Sequence, residues 1–213
     1  MNPPVVAVLW AIVGAAAGWG MRVGSVKLAR MEGLEPGFKI WQVYGPPVLS
    51  ALLLGVFGFS LAGMFPWLVI RSVFVLVLVQ VIFFDVEHHL ILDRIMFPAM
   101  ALALVVSFFG HPWWAGIATG FGAGLLFLLL AVGGSAIMKQ EALGFGDVKL
   151  AAFMGLLLGV PLIFSALFYG VLFAGLGAIA YIAWHRSLKG NIAYGPYLAA
   201  GALLALYFLP PLT

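Results

Sequence analysis

The 213-residue sequence contains no cysteine and few charged residues. The lack of cysteine excludes disulfide bonds and thiolate metal ligands. Only 8% of the residues are charged and 65% are hydrophobic, which is too few charges for the surface of a soluble domain of this size. The basic residues are scattered among short connections rather than clustered, which argues against nucleic acid as a partner.

Most of the sequence consists of long apolar runs. They are too continuous for barrel strands, and helices satisfy their own backbone hydrogen bonds in lipid, so we predict an all-α, polytopic membrane protein. The predicted spans lie near residues 4–21, 46–63, 66–84, 95–110, 113–138, 150–160, 161–184 and 193–209. Only Gly159-Val160-Pro161 separates the sixth span from the seventh, so seven spans are the alternative. Residues 1–213 are predicted to form one transmembrane domain without a separate soluble domain.

The positions of the basic residues predict the orientation of the spans. Alternating spans place nine of the ten basic residues on one face: Arg22, Lys27, Arg30, Lys39, Arg94, Lys139, Lys149, Arg186 and Lys189. The acidic residues fall on the same face: Glu32, Glu35, Asp85, Glu87, Asp93, Glu141 and Asp147. By the positive-inside rule this face is cytoplasmic and both termini point outward. Fusing the sixth and seventh spans would move Arg186 and Lys189 outside, which favours eight spans.

Two segments outside this pattern have simple interpretations. The tenth basic residue, Arg71, lies inside the third span, and we expect its long side chain to extend toward the outer headgroups. The first run, Met1 to Ala17, contains no Lys or Arg that could form the basic start of a signal peptide, and the apolar run continues past the length of a signal-peptide core, which predicts a retained first span.

A short polar interruption, Leu143 to Lys149, separates two runs without charged residues. It places a carboxylate, Asp147, just after Gly144 and Gly146, whose backbones can adopt conformations closed to other residues. An acidic residue at the edge of a membrane span needs a reason, because desolvating a carboxylate is costly. The simpler interpretation is a turn in which Asp147 is the N-cap of the next helix.

A second acidic cluster follows the third span. Asp85 is predicted at the junction between helix and loop, and Glu87 and Asp93 follow in the loop. We interpret Glu87 as an exposed charge and Asp93, followed by Arg94, as part of a solvated pair. His88 and His89 are adjacent, so in a helix they point to different faces, and we predict no metal site.

The predicted topology places Asp85 and Asp147 at similar depth. If they meet, two nearby carboxylates cannot both ionise readily, so one keeps a proton near neutral pH. The ionised member can activate water, and the protonated member can polarise a carbonyl and supply a proton. Such a pair would hydrolyse a peptide bond without a metal, a thiol or a serine triad. Asp93 and Glu87 are the alternative partners.

These residues also carry a resemblance to a known family. Gly144-Phe145-Gly146-Asp147 fits the G-x-G-D motif of aspartyl intramembrane proteases, and with Val148-Lys149-Leu150 it resembles the signature of type IV prepilin peptidases. The eight-residue spacing from Asp85 to Asp93 is similar to the family pattern, with Leu92 where the family commonly has proline. Two further segments resemble the family in order: Gly24-Ser25 with Arg30 beyond, and Gly195-Pro196-Tyr197-Leu198.

The resemblance implies an aspartic endopeptidase that removes the basic leader of type IV prepilins or pilin-like proteins. It implies Asp85 and Asp147 as the catalytic pair, with Gly144 and Gly146 shaping the loop and Lys149 tuning it. It also implies a cytoplasmic-membrane location, cleavage at the cytoplasmic face, a prepilin or pseudopilin helix and the bilayer as partners, and no cofactor. Many members carry a Cys-x-x-Cys insert after the first helix and are also N-methyltransferases. The short, cysteine-free segment from Arg22 to Tyr44 argues against that second activity.

Two other functions remain open at this point. An ion-coupled transporter also uses acidic residues in the membrane, although these all lie at one edge and no inverted repeat is evident. A membrane scaffold would use Asp147 only as a helix cap. Mutation of Asp85 or Asp147 to Asn distinguishes the protease, the transporter and the scaffold, since only a protease loses hydrolysis.

Overall fold

The computed structural model describes residues 2–110, 112–138, 143–185 and 193–209. Within these ranges the chain forms helices joined by turns and short connections, with no strand. The helices are α1 (Pro3–Met31), α2 (Ile40–Ser60), α3 (Phe65–His88), α4 (Asp93–Ser107), α5 (Trp114–Met138), α6 (Phe145–Leu158), α7 (Leu162–His185) and α8 (Gly195–Phe208). The predicted all-α class is confirmed, and the described residues form eight helices. The predicted number of membrane spans stays a prediction.

The helices differ in their capacity to cross a membrane. Five of them, α1, α2, α3, α5 and α7, are long and apolar enough to do so. The other three, α4, α6 and α8, have 14 or 15 residues, whereas a perpendicular span needs about 20. The chain is therefore a multi-pass membrane protein in which three helices are shorter than the bilayer core.

Two helices continue well past the predicted ends of their spans. We expected α1 to end near residue 21, but it extends to Met31. The Lys, Arg, Leu and Ala residues in the added part of α1 all favour helix. The first residue with a positive φ after α1 is Gly33, with φ of 72°. In the same way, α3 continues through Asp85 to its last residue, His88. The next residue, His89, is the C-cap and has a left-handed backbone with φ of 52°. Charge ends the apolar run, but it does not end the helix.

Two other helices begin earlier than predicted. The second starts at Ile40 rather than at residue 46, so Pro46 and Pro47 lie inside it. The sixth starts at Phe145 rather than at residue 150, because Gly144 is its N-cap. The connection between α1 and α2 is therefore much shorter than the predicted loop from Arg22 to Tyr44.

The predicted break between the sixth and seventh helices is confirmed. The sixth ends at Leu158 and the seventh begins at Leu162. Gly159 has φ of 61° and ψ of −170°, a backbone conformation that residues with a Cβ rarely adopt. The described residues therefore keep the sixth and seventh helices separate, while the number of membrane spans, eight or seven, stays a prediction.

Internal contacts divide the chain into two compact units, Met1–His89 and Leu90–Thr213. The prediction of a single transmembrane domain stays a prediction. In the first unit, α1 and α2 pack backbone to backbone through glycines one turn apart. A Cβ on Gly14 would come within 2.5 Å of Ser50 O, and one on Gly18 within 2.5 Å of Pro47 Cα. Only glycine permits this close approach.

The first unit also buries several polar side chains. The Trp10 indole donates a hydrogen bond to Ser72 Oγ (2.7 Å), and Gln80 Nε2 donates one to Ser25 Oγ (2.7 Å). Arg71 is only 3% exposed, so the prediction that it extends to the outer headgroups is wrong. The reason is that α3 is the most buried of the five long helices, and it leaves little lipid-facing surface for Arg71 to use.

In the second unit, α6 contacts each of the other four helices. It is apolar on nearly every face, and Leu150, Phe153 and Met154 are completely buried, as expected for a helix surrounded by protein. A Cβ on Gly155 would lie 2.5 Å from Thr119 O, so α5 and α6 are also in close contact. This central position fixes α6, and Asp147 lies in its first turn.

Candidate functional site

Asp85 lies in the last turn of α3 and is 6% exposed. Its backbone carbonyl accepts a hydrogen bond from the His89 N–H (2.8 Å), which closes the helix. We expected Asp85 at the junction of helix and loop, but it lies one turn inside the helix. The structure therefore places this carboxylate in a buried, helical position.

Glu87 is part of a buried network, so its interpretation as an exposed loop charge is wrong. Its side chain is 6% exposed, and Oε2 pairs with Arg22 Nη1 at 3.0 Å. The other oxygen, Oε1, accepts a hydrogen bond from the Gly37 N–H at 2.5 Å. Arg22 also donates to the Gly37 carbonyl oxygen. The two charged side chains thus hold both backbone polar groups of Gly37, a contact that the sequence did not reveal.

The two histidines of the predicted loop occupy different environments. His88 is the last residue of α3, its side chain is 8% exposed, and its ring packs 4.7 Å from that of Phe84. Its Nε2 lies 3.4 Å from Glu87 Oε1. His89, by contrast, is exposed, so the two adjacent histidines differ in their burial. The absence of a metal site stays a prediction.

Asp147 lies in the first turn of α6, at the third helical position after the N-cap Gly144. Its backbone N–H donates to Gly144 O (3.1 Å). The interpretation of Asp147 as the N-cap is therefore wrong. Negative charge is stabilised in the first turn of a helix, where N–H groups lack partners within the helix. The position thus favours a charged carboxylate.

The two glycines of the motif have different surroundings. A Cβ on Gly146 would lie 3.0 Å from Cβ of Ile91, which is tight enough to force Ile91 to move. On Gly144 the nearest atom to a Cβ would be Asp147 Oδ2 at 3.7 Å, an ordinary contact. Close packing against the connection before α4 therefore requires glycine at 146 but not at 144.

Lys149 and Asp93 form an ion pair between α6 and α4. Lys149 Nζ lies 2.5 Å from Asp93 Oδ1 and 5.4 Å from the centre of the Phe97 ring. The side chains are 31% and 53% exposed, respectively. Asp93 is the first residue of α4 rather than a loop residue, and the partner that the structure gives it is Lys149 in place of the predicted Arg94. The pair ties the N-terminal part of α6 to the first turn of α4.

Tyr194 is a further residue near Asp147 that the sequence analysis did not single out. It precedes α8, which starts with Gly195 and Pro196 much as predicted. Burial raises the pKa of the Tyr194 phenol, and the negative charge of Asp147 raises this pKa further. The phenol therefore stays protonated beside Asp147. The only sequence signal was its position next to the Gly-Pro-Tyr segment.

Several residues of the predicted charged face lie outside the described residues: Lys139, Glu141, Arg186 and Lys189. Among the described residues, each unit carries predicted site residues on elements of its own. Asp85 and Glu87 lie in the first unit, and Asp93, Gly144, Gly146, Asp147 and Lys149 lie in the second.

Comparison with known proteins identifies the family of the chain. The model of the type IV leader peptidase family matches residues 72–179, just over half of the chain. The chain belongs to this family. The matched segment includes Asp85 and Asp147 but not Arg22, Gly37 or Tyr194.

One curated relative extends the family match. The prepilin leader peptidase/N-methyltransferase of Bacillus subtilis (strain 168) is 34% identical over 156 residues. The alignment covers 71% of this chain and 58% of the relative, so the chain spans little more than half the length of that family member. No solved structure matches the chain.

Proposed function

We propose that the protein is a membrane aspartic endopeptidase that cleaves the basic leader of type IV prepilins or pilin-like proteins. The observation that carries the proposal is the placement of two aspartates within the family segment. Asp85 is buried in the last turn of α3, and Asp147 lies in the first turn of α6. We propose these two as the catalytic pair. The substrate class follows from the name of the relative, and we restrict the proposal to peptide cleavage.

The positions of the two aspartates on their helices support different roles. The N-terminus of a helix stabilises negative charge, whereas the C-terminus opposes it. We therefore assign the general base to Asp147 and the general acid to Asp85. The Asp147 carboxylate removes a proton from water as the water oxygen attacks the scissile carbonyl. Asp85 donates a hydrogen bond to the carbonyl oxygen, and the C–N bond then breaks as Asp85 gives its proton to the leaving amine. Return of the proton from Asp147 to Asp85 restores the starting state of the pair.

The charged residues support cleavage at the cytoplasmic face. In the first unit, Arg22, Lys27, Arg30 and Lys39 lie at the end of α1 and the start of α2, the same end as Glu87. In the second unit, Lys149 and Asp93 mark the end that carries Asp147. Positive residues stay preferentially in the cytoplasm. Both proposed catalytic residues then face the leader of a substrate whose apolar helix lies in the bilayer.

Cleavage of a prepilin-like substrate in liposomes tests the proposal. Asp85→Asn and Asp147→Asn should each lower kcat by about 1,000-fold, within the range of about 100- to 10,000-fold that general acid–base catalysis contributes. Asp93→Asn is the matched control, because it removes a half-exposed carboxylate and a solvated ion pair worth up to about 1 kcal/mol, or about five-fold in rate. Retained cleavage in either catalytic variant would remove that residue from the mechanism. If the wild type leaves the substrate intact while proton or ion flux depends on the aspartates, the protein is a transporter.

A further inference from the structure

The network of Arg22, Glu87 and Gly37 is the most buried charged cluster among the described ion pairs. The Arg22 and Glu87 side chains are 7% and 6% exposed, and they come from α1 and α3. Both of them bind Gly37, a residue of the connection from α1 to α2. Three separate segments of the first unit therefore meet at this point. We call this set the Arg22 network.

Stability alone does not explain such a network. Removing two charges from water costs about as much as their attraction returns, and apolar substitutes are often equally stable. The advantage of a buried ion pair is its defined geometry, because the planar guanidinium and the carboxylate satisfy each other only in one arrangement. Here that arrangement also determines where Gly37 lies, through its N–H and its carbonyl oxygen.

Asp85 shares the last turn of α3 with Glu87. The turn is closed at one point by the hydrogen bond from His89 N–H to Asp85 O, and at another by the contacts of Glu87. The end of a helix otherwise frays, since its last carbonyls lack partners within the helix. The Arg22 network is therefore placed to keep the turn of Asp85 helical.

We propose that Arg22 and Glu87 are positioning residues, which hold the catalytic turn of α3 in place and fix the connection at Gly37 beside it. The proposal rests on the proposed function for its effect on cleavage. It removes Glu87 from the candidates for the second catalytic carboxylate, because both of its oxygens are already engaged. It also fixes Gly37 against the turn of α3 that carries Asp85.

The kinetic test uses Glu87→Gln, Arg22→Lys and Arg22→Met with the prepilin-like substrate. Displacing a catalytic group by about 1 Å costs up to about 100-fold, so we expect kcat to fall roughly 10- to 100-fold in Arg22→Met and less in Arg22→Lys. The double variant Arg22→Met with Glu87→Gln should be no slower than Arg22→Met alone, because both changes break one network. Lys27→Met and Glu35→Gln are the matched controls, since both side chains are exposed on the same segments, and they should cleave like wild type.

The pH profile separates positioning from catalysis. If Glu87 only positions Asp85, the profile of kcat in Glu87→Gln keeps both of its limbs at a lower amplitude. Loss of one limb, or a fall as large as that of Asp85→Asn, would show that Glu87 takes part in proton transfer and would overturn the proposal. Independent, multiplicative effects of the two changes would overturn it as well.

Hydrogen exchange tests the network without any need for cleavage. In wild type we expect slow exchange at the Gly37 and His89 amides, and at least about ten-fold faster exchange at both in Glu87→Gln and Arg22→Lys. Faster exchange at Gly37 with an unchanged turn at 85–89 would contradict the positioning of Asp85. If no prepilin is cleaved by wild type, the proposed function fails while this measurement still decides the network. The conservative variants keep the test valid even if Arg22→Met does not fold.

Discussion

Gly144 and Gly146 are two residues apart, but their neighbours impose different limits on them. Gly146 lies against Ile91 of the connection before α4, whereas a side chain on Gly144 would meet no close neighbour. The motif spacing alone does not reveal this difference. It becomes visible only when α6 is packed beside the residues that precede α4.

The first prediction concerns these two glycines. Gly146→Ala should lower cleavage by about ten-fold, because Ile91 or the first turn of α6 must move by a few tenths of an ångström and Asp147 moves with it. Gly144→Ala meets only ordinary van der Waals contact and should stay within about three-fold of wild type, since its cost is limited to a weaker cap. Steady-state cleavage of both variants provides the comparison. Equal effects would mean that the Ile91 contact does not matter.

The second prediction concerns Tyr194. Because burial and then the negative charge of Asp147 raise the pKa of its phenol, this group should ionise at higher pH than an ordinary tyrosine. Asp147→Asn removes the second cause, so the pKa should fall but remain above the ordinary value. Ultraviolet titration of phenolate, with Tyr194→Phe as the subtraction control, measures the shift. An unchanged titration in Asp147→Asn would show that the two groups do not interact.

At the scale of whole helices, apolar length and helix length are different quantities. The first and third helices extend beyond their apolar runs, and the added turns carry Arg22, Asp85 and Glu87. These turns lie where the helix leaves the apolar region, so they can bring charged groups together without exposing them to lipid. The proposed catalytic and positioning residues of the first unit belong to these extensions.

The third prediction concerns the packing of α1 on α2. Gly18→Ala would place a methyl group against the Pro47 backbone, and overpacking of this kind costs about 1–3 kcal/mol. On the same helix, Gly20 is exposed with no atom within 4 Å of a Cβ, so Gly20→Ala should be neutral or slightly stabilising. Thermal unfolding in detergent should show a lower Tm only for the first variant. Equal Tm values would indicate that the helices are less closely packed at Gly18.

At the scale of the whole molecule, the absence of cysteine makes the orientation directly measurable. The fourth prediction is that Glu35→Cys reacts with a membrane-impermeant maleimide only when the cytoplasmic side is accessible. Gly63→Cys, in the connection between α2 and α3, should react only from the outside, because the two residues lie at opposite ends of α2. Both positions are exposed. Labelling of intact cells and of inverted vesicles gives the two accessibilities, and the reverse pattern would place the proposed active site outside.

Local signals in the sequence are sufficient for the helical class, the break between the sixth and seventh helices, and the family. Each of these follows from residues close together in the chain: the apolar runs, Gly159-Val160-Pro161, and the Gly-x-Gly-Asp segment. The helix ends are less predictable, because the apolar runs end at residues 21 and 84 while the helices continue. No breaker stands at either point, so hydrogen bonding continued to Met31 and His88.

The tertiary structure alone decided which charged groups are buried and which partners they have. Glu87 was interpreted as exposed, but Arg22, 65 residues away, pairs with it, and Asp93 pairs with Lys149 across 56 residues. Arg71 was expected at the headgroups, but it is buried. Composition and spacing report whether a residue can enter a membrane. The partner of a charged side chain depends on which faces of the helices meet. Close contacts, such as those of Gly18 with Pro47 and of Gly146 with Ile91, determine which faces these are.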